Sequence, residues 1–242
     1  MVPMFCAEFS SFENCGFFGR GRFRIVIAMG YSMLFLLLSS TPHLFPLHST
    51  KGLIPFDVAP KAVVYRGRRA VFLSTDKDTR FGSMAVLPGV EFRDGVVEFD
   101  VAGYPNKNAG PGNRGFVGLA FRVSEDRHSY ENFYLRMTNG RSASQELRNH
   151  AVQYCSLPDY TWDRLRKERP FRYEAYTDLV VGAWTHVRIS VYGTEAKFWV
   201  GRGKQPCLIV HDLIHGDSHG KLALWTASHS SAYFSNLRVR PS

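Results

Sequence analysis

Between residues 122 and 174 the chain collects side chains able to grip a polar ligand or move a proton. Glu131, His150 and Glu174 are the acid–base candidates, with His150 or Glu131 placed to take a proton and Glu174 to give one. Hydrolysis of a glycosidic bond asks for two such groups on one pocket. The carboxyls stand about 5–5.5 Å apart for retention and about 6.5–9.5 Å apart for inversion.

A second group has binding chemistry. Arg122, Asn132, Tyr134, Arg136 and Gln153 each alternate with apolar neighbours, so pairing of adjacent strands would line them up on one sheet face. An aromatic ring among planar hydrogen-bonding groups suits a sugar: the ring packs on the C–H face while amide and guanidinium groups meet the hydroxyls. The segment from Thr138 to Phe171 adds Asn139, Arg141, Gln145, Arg148 and Asn149 ahead of Gln153 and Tyr154, then Trp162, Arg164 and Arg166. A long interruption of this kind in a compact domain points to a binding loop. Arginine forks recognise carboxylate, sulfate or phosphate in a bidentate manner, which makes an anionic glycan one reading. In the other reading the same arginines pair with loop acids and peptide carbonyls and only brace the loop.

Other chemistry is thinly represented. Glu98 and Asp100 share one side of a strand, but Ala102 and Gly103 follow where a sandwich glucanase would place a second glutamate, so both read as surface residues. His211, His215 and His219 recur every four residues, yet Gly216 and Gly220 oppose the helix that would aim them at a metal. No G-x-S-x-G elbow is present. The sequence calls for no cofactor, and nothing in it supports a structural calcium ion. A net charge of +9 permits nucleic acid, but the charge is spread rather than gathered in a stripe, so no nucleic-acid partner is expected.

The elements that must hold these residues are strands. From Ala62 to Val239 the apolar period is two: Val97, Phe99 and Val101, then Val117, Leu119, Phe121 and Val123, then Phe133 and Leu135, with later runs through Val187–Val191, Ala196–Val200 and Leu222–Leu224. Turn-forming clusters separate the runs, among them Arg93-Asp94-Gly95 and the Gly/Pro/Asn stretch 103–115. The one helical pattern is two turns near Ser142–Asn149. The expected architecture is all-β, a two-sheet antiparallel jelly-roll sandwich in a single domain over 51–242.

Residues 1–50 read differently. Arg20, Arg22 and Arg24 precede the apolar run Ile25–Leu38, and small and polar residues follow. This is the plan of a signal peptide or N-terminal anchor, with cleavage within 39–50 and export to the periplasm or the exterior. The run is shorter than the ~20 residues of a spanning helix, so no stable membrane span is expected after signal removal. Cys155 and Cys207 are then the remaining cysteines, too few for a disulfide framework, and unpaired thiols are the expectation.

The segments GFVGLAFRV (115–123), YENFYLR (130–136), NGR (139–141), RNHAVQY (148–154), PDYTWDRLRKE (158–168), YEAYTDLVVGAWTHVRISV (173–191) and AYFSNLRV (232–239) carry a resemblance. They resemble a group of exported bacterial proteins with a concanavalin A-like, laminin-G-like jelly roll, more distantly similar to 3-keto-disaccharide hydrolase and sandwich-glucanase domains. The resemblance implies carbohydrate binding or glycoside processing, and the motif positions include Tyr173 beside the residues named above. Met137 and Ser142-Ala143-Ser144 depart from the group's pattern, which expects a proline and an acidic pair there. Three functions follow as expectations: a carbohydrate-binding module, a glycoside hydrolase-like enzyme acting on oligosaccharides or 3-keto-disaccharides, and a laminin-G-like protein-interaction module. In the first, Tyr134 and Trp162 stack on the sugar while Arg122, Arg136, Asn149 and Gln153 hydrogen-bond to it.

Overall fold

The structure, a computed structural model, describes residues 41–79 and 81–242. The arginine-flanked apolar run lies outside the described residues. Among the described residues, no helix is long and apolar enough to cross a membrane.

Two antiparallel sheets make the domain. The first runs β13(Leu208–Val210)-β12(Glu195–Val200)-β11(Thr185–Tyr192)-β6(Gly95–Pro105)-β15(Ser230–Pro241)-β4(Arg68–Thr75)-β3(Lys61–Tyr65), with β1(His43–Phe45) also paired to β15. The second runs β10(Glu174–Ala175)-β9(Val152–Leu157)-β8(Tyr130–Arg136)-β7(Phe116–Val123)-β14(Lys221–Thr226)-β5(Ser83–Val86)-β2(Ile54–Phe56). The expected all-β sandwich is thus present. The sheet extends N-terminal of residue 51, because β1 pairs His43, Leu44 and Phe45 with Val239, Arg238 and Leu237, and Leu47 enters the core.

Alternation sets which residues meet between the sheets. Phe133 of β8 stacks on Phe198 of β12 with ring centroids 3.9 Å apart, so the odd-numbered residues of β8 face inward. Phe99 and Phe234 meet deeper in the same core, centroids 6.3 Å apart. The even-numbered residues of β8 therefore line the outer face of the second sheet. There the register sets Tyr134 beside Gly118 and Gln153, and Asn132 beside Ala120 and Cys155. Trp225 sits opposite Gly118 on β14, so it joins the same face.

Two short helices interrupt the strands beside that face. The first, α1(Gln145–Asn149), falls where two turns were expected and is capped by Ser144, whose hydroxyl accepts from the Leu147 N–H at 3.3 Å. The second, α2(Trp162–Glu168), occupies sequence read as loop. Its apolar stripe is a single buried Leu165, three residues after Trp162, too short to show a helical period. Glu98 and Asp100 lie on the outer face of the other sheet, where Asp100 accepts from Arg68 at 2.7 Å and Asn236 at 2.9 Å and Glu98 pairs with Arg240.

Candidate functional site

The outer face of the second sheet carries a cleft of about 300 Å³. Its floor is Asn132, Tyr134 and Cys155; Thr79, Phe81 and Gly82 form one wall and Thr161, Trp162 and Asp163 the other, with Trp225 and Phe116 between. The Tyr134 ring lies 5.2 Å from Trp225 and 5.9 Å, edge on, from Phe116. Gly118 makes this packing feasible, since a Cβ there would fall 2.7 Å from the Tyr134 Cβ. The Trp225 indole N–H donates to the Phe81 carbonyl at 3.1 Å and to the Tyr130 hydroxyl at 3.2 Å, which fixes the ring in place. Trp162 is 45% exposed at the rim, with the Arg166 and Arg136 guanidinium carbons 4.8 and 5.7 Å from its ring centroid.

Beneath the rim lies a buried ionic cluster. Arg136 donates to the His150 carbonyl at 2.9 Å, to Glu174 Oε1 at 3.1 Å, to the Tyr134 hydroxyl at 3.2 Å and to Gln153 Oε1 at 3.0 Å. Gln153 in turn donates to the Tyr154 and Tyr173 carbonyls. Glu174 also accepts from Arg166 Nε at 3.0 Å, and His150 Nδ1 lies 2.9 Å from Glu174 Oε2 without aligned hydrogen-bond geometry. Burial pushes the Glu174 carboxyl up, but Arg166, Arg136 and His150 together outweigh it and hold the group below the usual carboxylate range. Burial, helped by the two arginines and opposed by Glu174, lowers the His150 imidazole. Burial also pushes the Cys155 thiol up to about 12.

This geometry corrects the acid–base assignment. Glu174 does not line the cleft, and Arg136 and Arg166 hold its carboxylate with hydrogen bonds at 3.1 and 3.0 Å. Glu131 is fully buried and shares the inward side of β8 with Phe133. Its carboxylate accepts from the Tyr154 hydroxyl at 2.5 Å and the His215 N–H at 2.9 Å, and burial raises its pKa. Tyr154 belongs to that inward pair as well, not to the cleft. Among the described residues the sole carboxylate lining the cleft is Asp163, which a hydrogen bond from Thr161 holds below its ordinary value. Neither Glu131 nor Glu174 lines this pocket.

The binding candidates divide. Asn132, Tyr134 and Trp162 line the cleft, and Arg136, Arg166 and Gln153 support it from behind. The others lie elsewhere. Arg122, in a left-handed conformation with φ 53° at a bulge in β7, donates to the Arg93, Gly193 and Gly216 carbonyls and to Asp94, so it ties three loops together. Asn139 donates to the His150 carbonyl. Gln145 donates to Asn149 across one turn of α1. Arg141 pairs with Asp178, Arg164 with Glu168, and Arg148 bonds the Tyr176 hydroxyl. These arginines brace the loop.

Trp225, Phe116 and Cys155 were not among the expected site residues, although each falls on the polar side of its strand's alternation. Phe81, Gly82, Thr79 and Thr161 had no local signal. Among the described residues Cys155 and Cys207 are both free, as expected of them. His211 bonds Glu195, and no group of three or more His, Cys, Asp or Glu side chains able to hold a metal ion is found among the described residues.

No protein-family model matches the chain, and no curated protein matches it in sequence. Solved structures do match. A carbohydrate binding module, CBM66, from Bacillus subtilis is 14% identical with a TM-score of 0.54, over 78% of this chain and 95% of the module. A protein of unknown function with a galectin-like fold, also from Bacillus subtilis, is 14% identical with a TM-score of 0.52, over 82% and 94%. The Crh5 transglycosylase in complex with NAG is 10% identical with a TM-score of 0.52, over 84% and 85%. Strand order, sheet pairing and these matches identify the fold as a galectin-like jelly roll of the concanavalin A-like kind.

Proposed function

We propose that the cleft binds a neutral carbohydrate. The observation that carries this reading is the convergence of Tyr134, Trp162, Trp225 and Phe116 on one recess of a sheet face, with an amide at its floor. Such rings bury the C–H face of a sugar while polar groups take its hydroxyls. The likeness to a carbohydrate binding module and to a transglycosylase in complex with NAG supports the reading, since both share the fold. An anionic preference would need free arginine forks, and Arg141, Arg164 and Arg166 are engaged by Asp178, Glu168 and Glu174. A hydrolytic role would need two carboxyls on the cleft, and neither Glu131 nor Glu174 lines it.

Titration of the full chain with neutral and uronic oligosaccharides, followed by tryptophan fluorescence, tests the proposal. Neutral sugars should perturb the emission, and Trp162→Ala should weaken binding by about 1 kcal/mol with little change in Tm. Equal affinity in Trp162→Ala, or a preference for uronic ligands that disappears at high salt, would sink it.

Export is proposed alongside, supported by the arginine-flanked apolar run ahead of the sheet. N-terminal sequencing of the protein from its host tests this. Because β1 begins at His43, the mature chain should start between 39 and 43, and a start at Met1 would refute export by cleavage.

A further inference from the structure

Asn132 is the one amide side chain that lines the cleft among the described residues. The residue is 1% exposed, yet neither its Oδ1 nor its Nδ2 has a hydrogen-bond partner, and it lines the floor of the cleft. Its cross-strand neighbours are Ala120 and Cys155, which offer the amide at most a thiol that is both a weak donor and a weak acceptor. A buried amide left unmatched on both atoms penalises the free protein, and native proteins keep few such groups without a use for them.

We infer that Asn132 selects ligands presenting two vicinal hydroxyls held gauche, and that this diol seats on the floor of the cleft. The inference rests on the carbohydrate reading above. A primary amide presents one acceptor and one donor along the same edge. Two gauche hydroxyls turn both oxygens the same way, so one donates to Oδ1 while the other accepts from Nδ2. A trans-diaxial pair sends its oxygens to opposite faces and meets only one amide atom. A carboxylate has no donor for Oδ1. A secondary acetamide is trans, so its N–H and C=O point apart and cannot satisfy both atoms together. With the diol on Asn132, the ring's C–H groups lie among Tyr134, Trp225 and Trp162.

The test is calorimetry on the full chain with methyl glucopyranoside, galactopyranoside and mannopyranoside, then with the monodeoxy analogues of whichever binds. Loss of either hydroxyl of one vicinal pair should cost roughly tenfold or more in affinity, while deoxygenation elsewhere should cost little. Asn132→Leu should abolish binding and raise Tm, because no amide is then buried unmatched. Deoxy analogues that all bind within about twofold of the parent would overturn the assignment. So would undiminished affinity in Asn132→Leu, or a Tm that falls in a variant shown to be folded. The deoxy series uses the unaltered protein and decides the matter even if Asn132→Leu fails to fold. Failure of every glycoside to bind the unaltered protein would instead overturn the carbohydrate reading, and this inference with it.

Discussion

Arg136 and Glu131 sit five positions apart on the same strand, and substitution should separate their roles cleanly. Arg136 holds four acceptors from a buried position, including the Tyr134 hydroxyl beneath the cleft. Removing one member of a buried ion pair leaves the other charge uncompensated, at about 3–5 kcal/mol. Arg136→Met should therefore lower the urea midpoint sharply and weaken sugar binding through the loss of Tyr134's support; an unchanged midpoint would show that Arg166 alone satisfies Glu174. Glu131 faces the other way, into the core beside Tyr154 and His215. Glu131→Gln should leave sugar affinity unchanged by calorimetry while lowering stability by about 1–3 kcal/mol, since the amide brings a donor where the core offers two donors to a carboxylate. A loss of affinity at unchanged stability would return Glu131 to the binding machinery.

At the scale of elements, the cleft exists because a loop closes on a strand. Gly82 adopts φ +82°, and a Cβ there would lie 2.5 Å from the Trp225 indole nitrogen. Both features require glycine: the left-handed backbone favours it, and the ring occupies the space a side chain would need. Gly82→Ala should cost about 1–2 kcal/mol or more and push the indole off its two acceptors. The checks are a lower Tm and a shifted tryptophan emission, accompanied by weaker sugar binding. An unaltered emission would mean the wall moves aside without disturbing Trp225.

For the whole molecule, three of the more buried groups shape the acid limb of stability, beside exposed carboxylates such as Asp178 and Asp217 that their arginine partners also hold low. His150 titrates near 6.5 when unfolded and lower when folded, so its contribution is present above 6.5 and is lost as pH falls toward the folded value. Glu174, near 4.5 unfolded and lower when folded, contributes above 4.5 and loses its share as pH falls through its folded value. Glu131 runs opposite: its raised carboxyl keeps its proton longer in the fold, so it stabilises below 4.5 and loses that as pH rises through its folded value. Tm should thus fall below pH 4.5, with His150 and Glu131 opposing each other between 6.5 and 4.5. In Glu131→Gln the decline from 6.5 to 4.5 should steepen, and an unchanged slope would refute the account. The N-terminal edge is a second whole-molecule matter. A chain beginning at residue 51 lacks β1 and buried Leu47, so it should melt below one beginning at residue 41. Equal melting temperatures would make β1 dispensable.

Much of this was legible in the chain itself, because strand alternation is a local property. It separates Asn132 and Tyr134 from Phe133, places Trp225 on the opposite side from Leu224, and, followed strictly, puts Glu131 and Tyr154 inward with Phe133. It could not show α2, where one buried Leu165 makes no period. What the tertiary structure alone decided is which polar groups are already spent. Arg122 finds Gly216 94 residues away, and Arg136 finds Glu174 38 residues away, through a strand order that no local pattern specifies. The same strand order leaves the Asn132 amide beside Ala120 and Cys155 with no hydrogen-bond partner. A side chain's type states what it can bind. Whether that capacity is still open depends on neighbours brought together by folding.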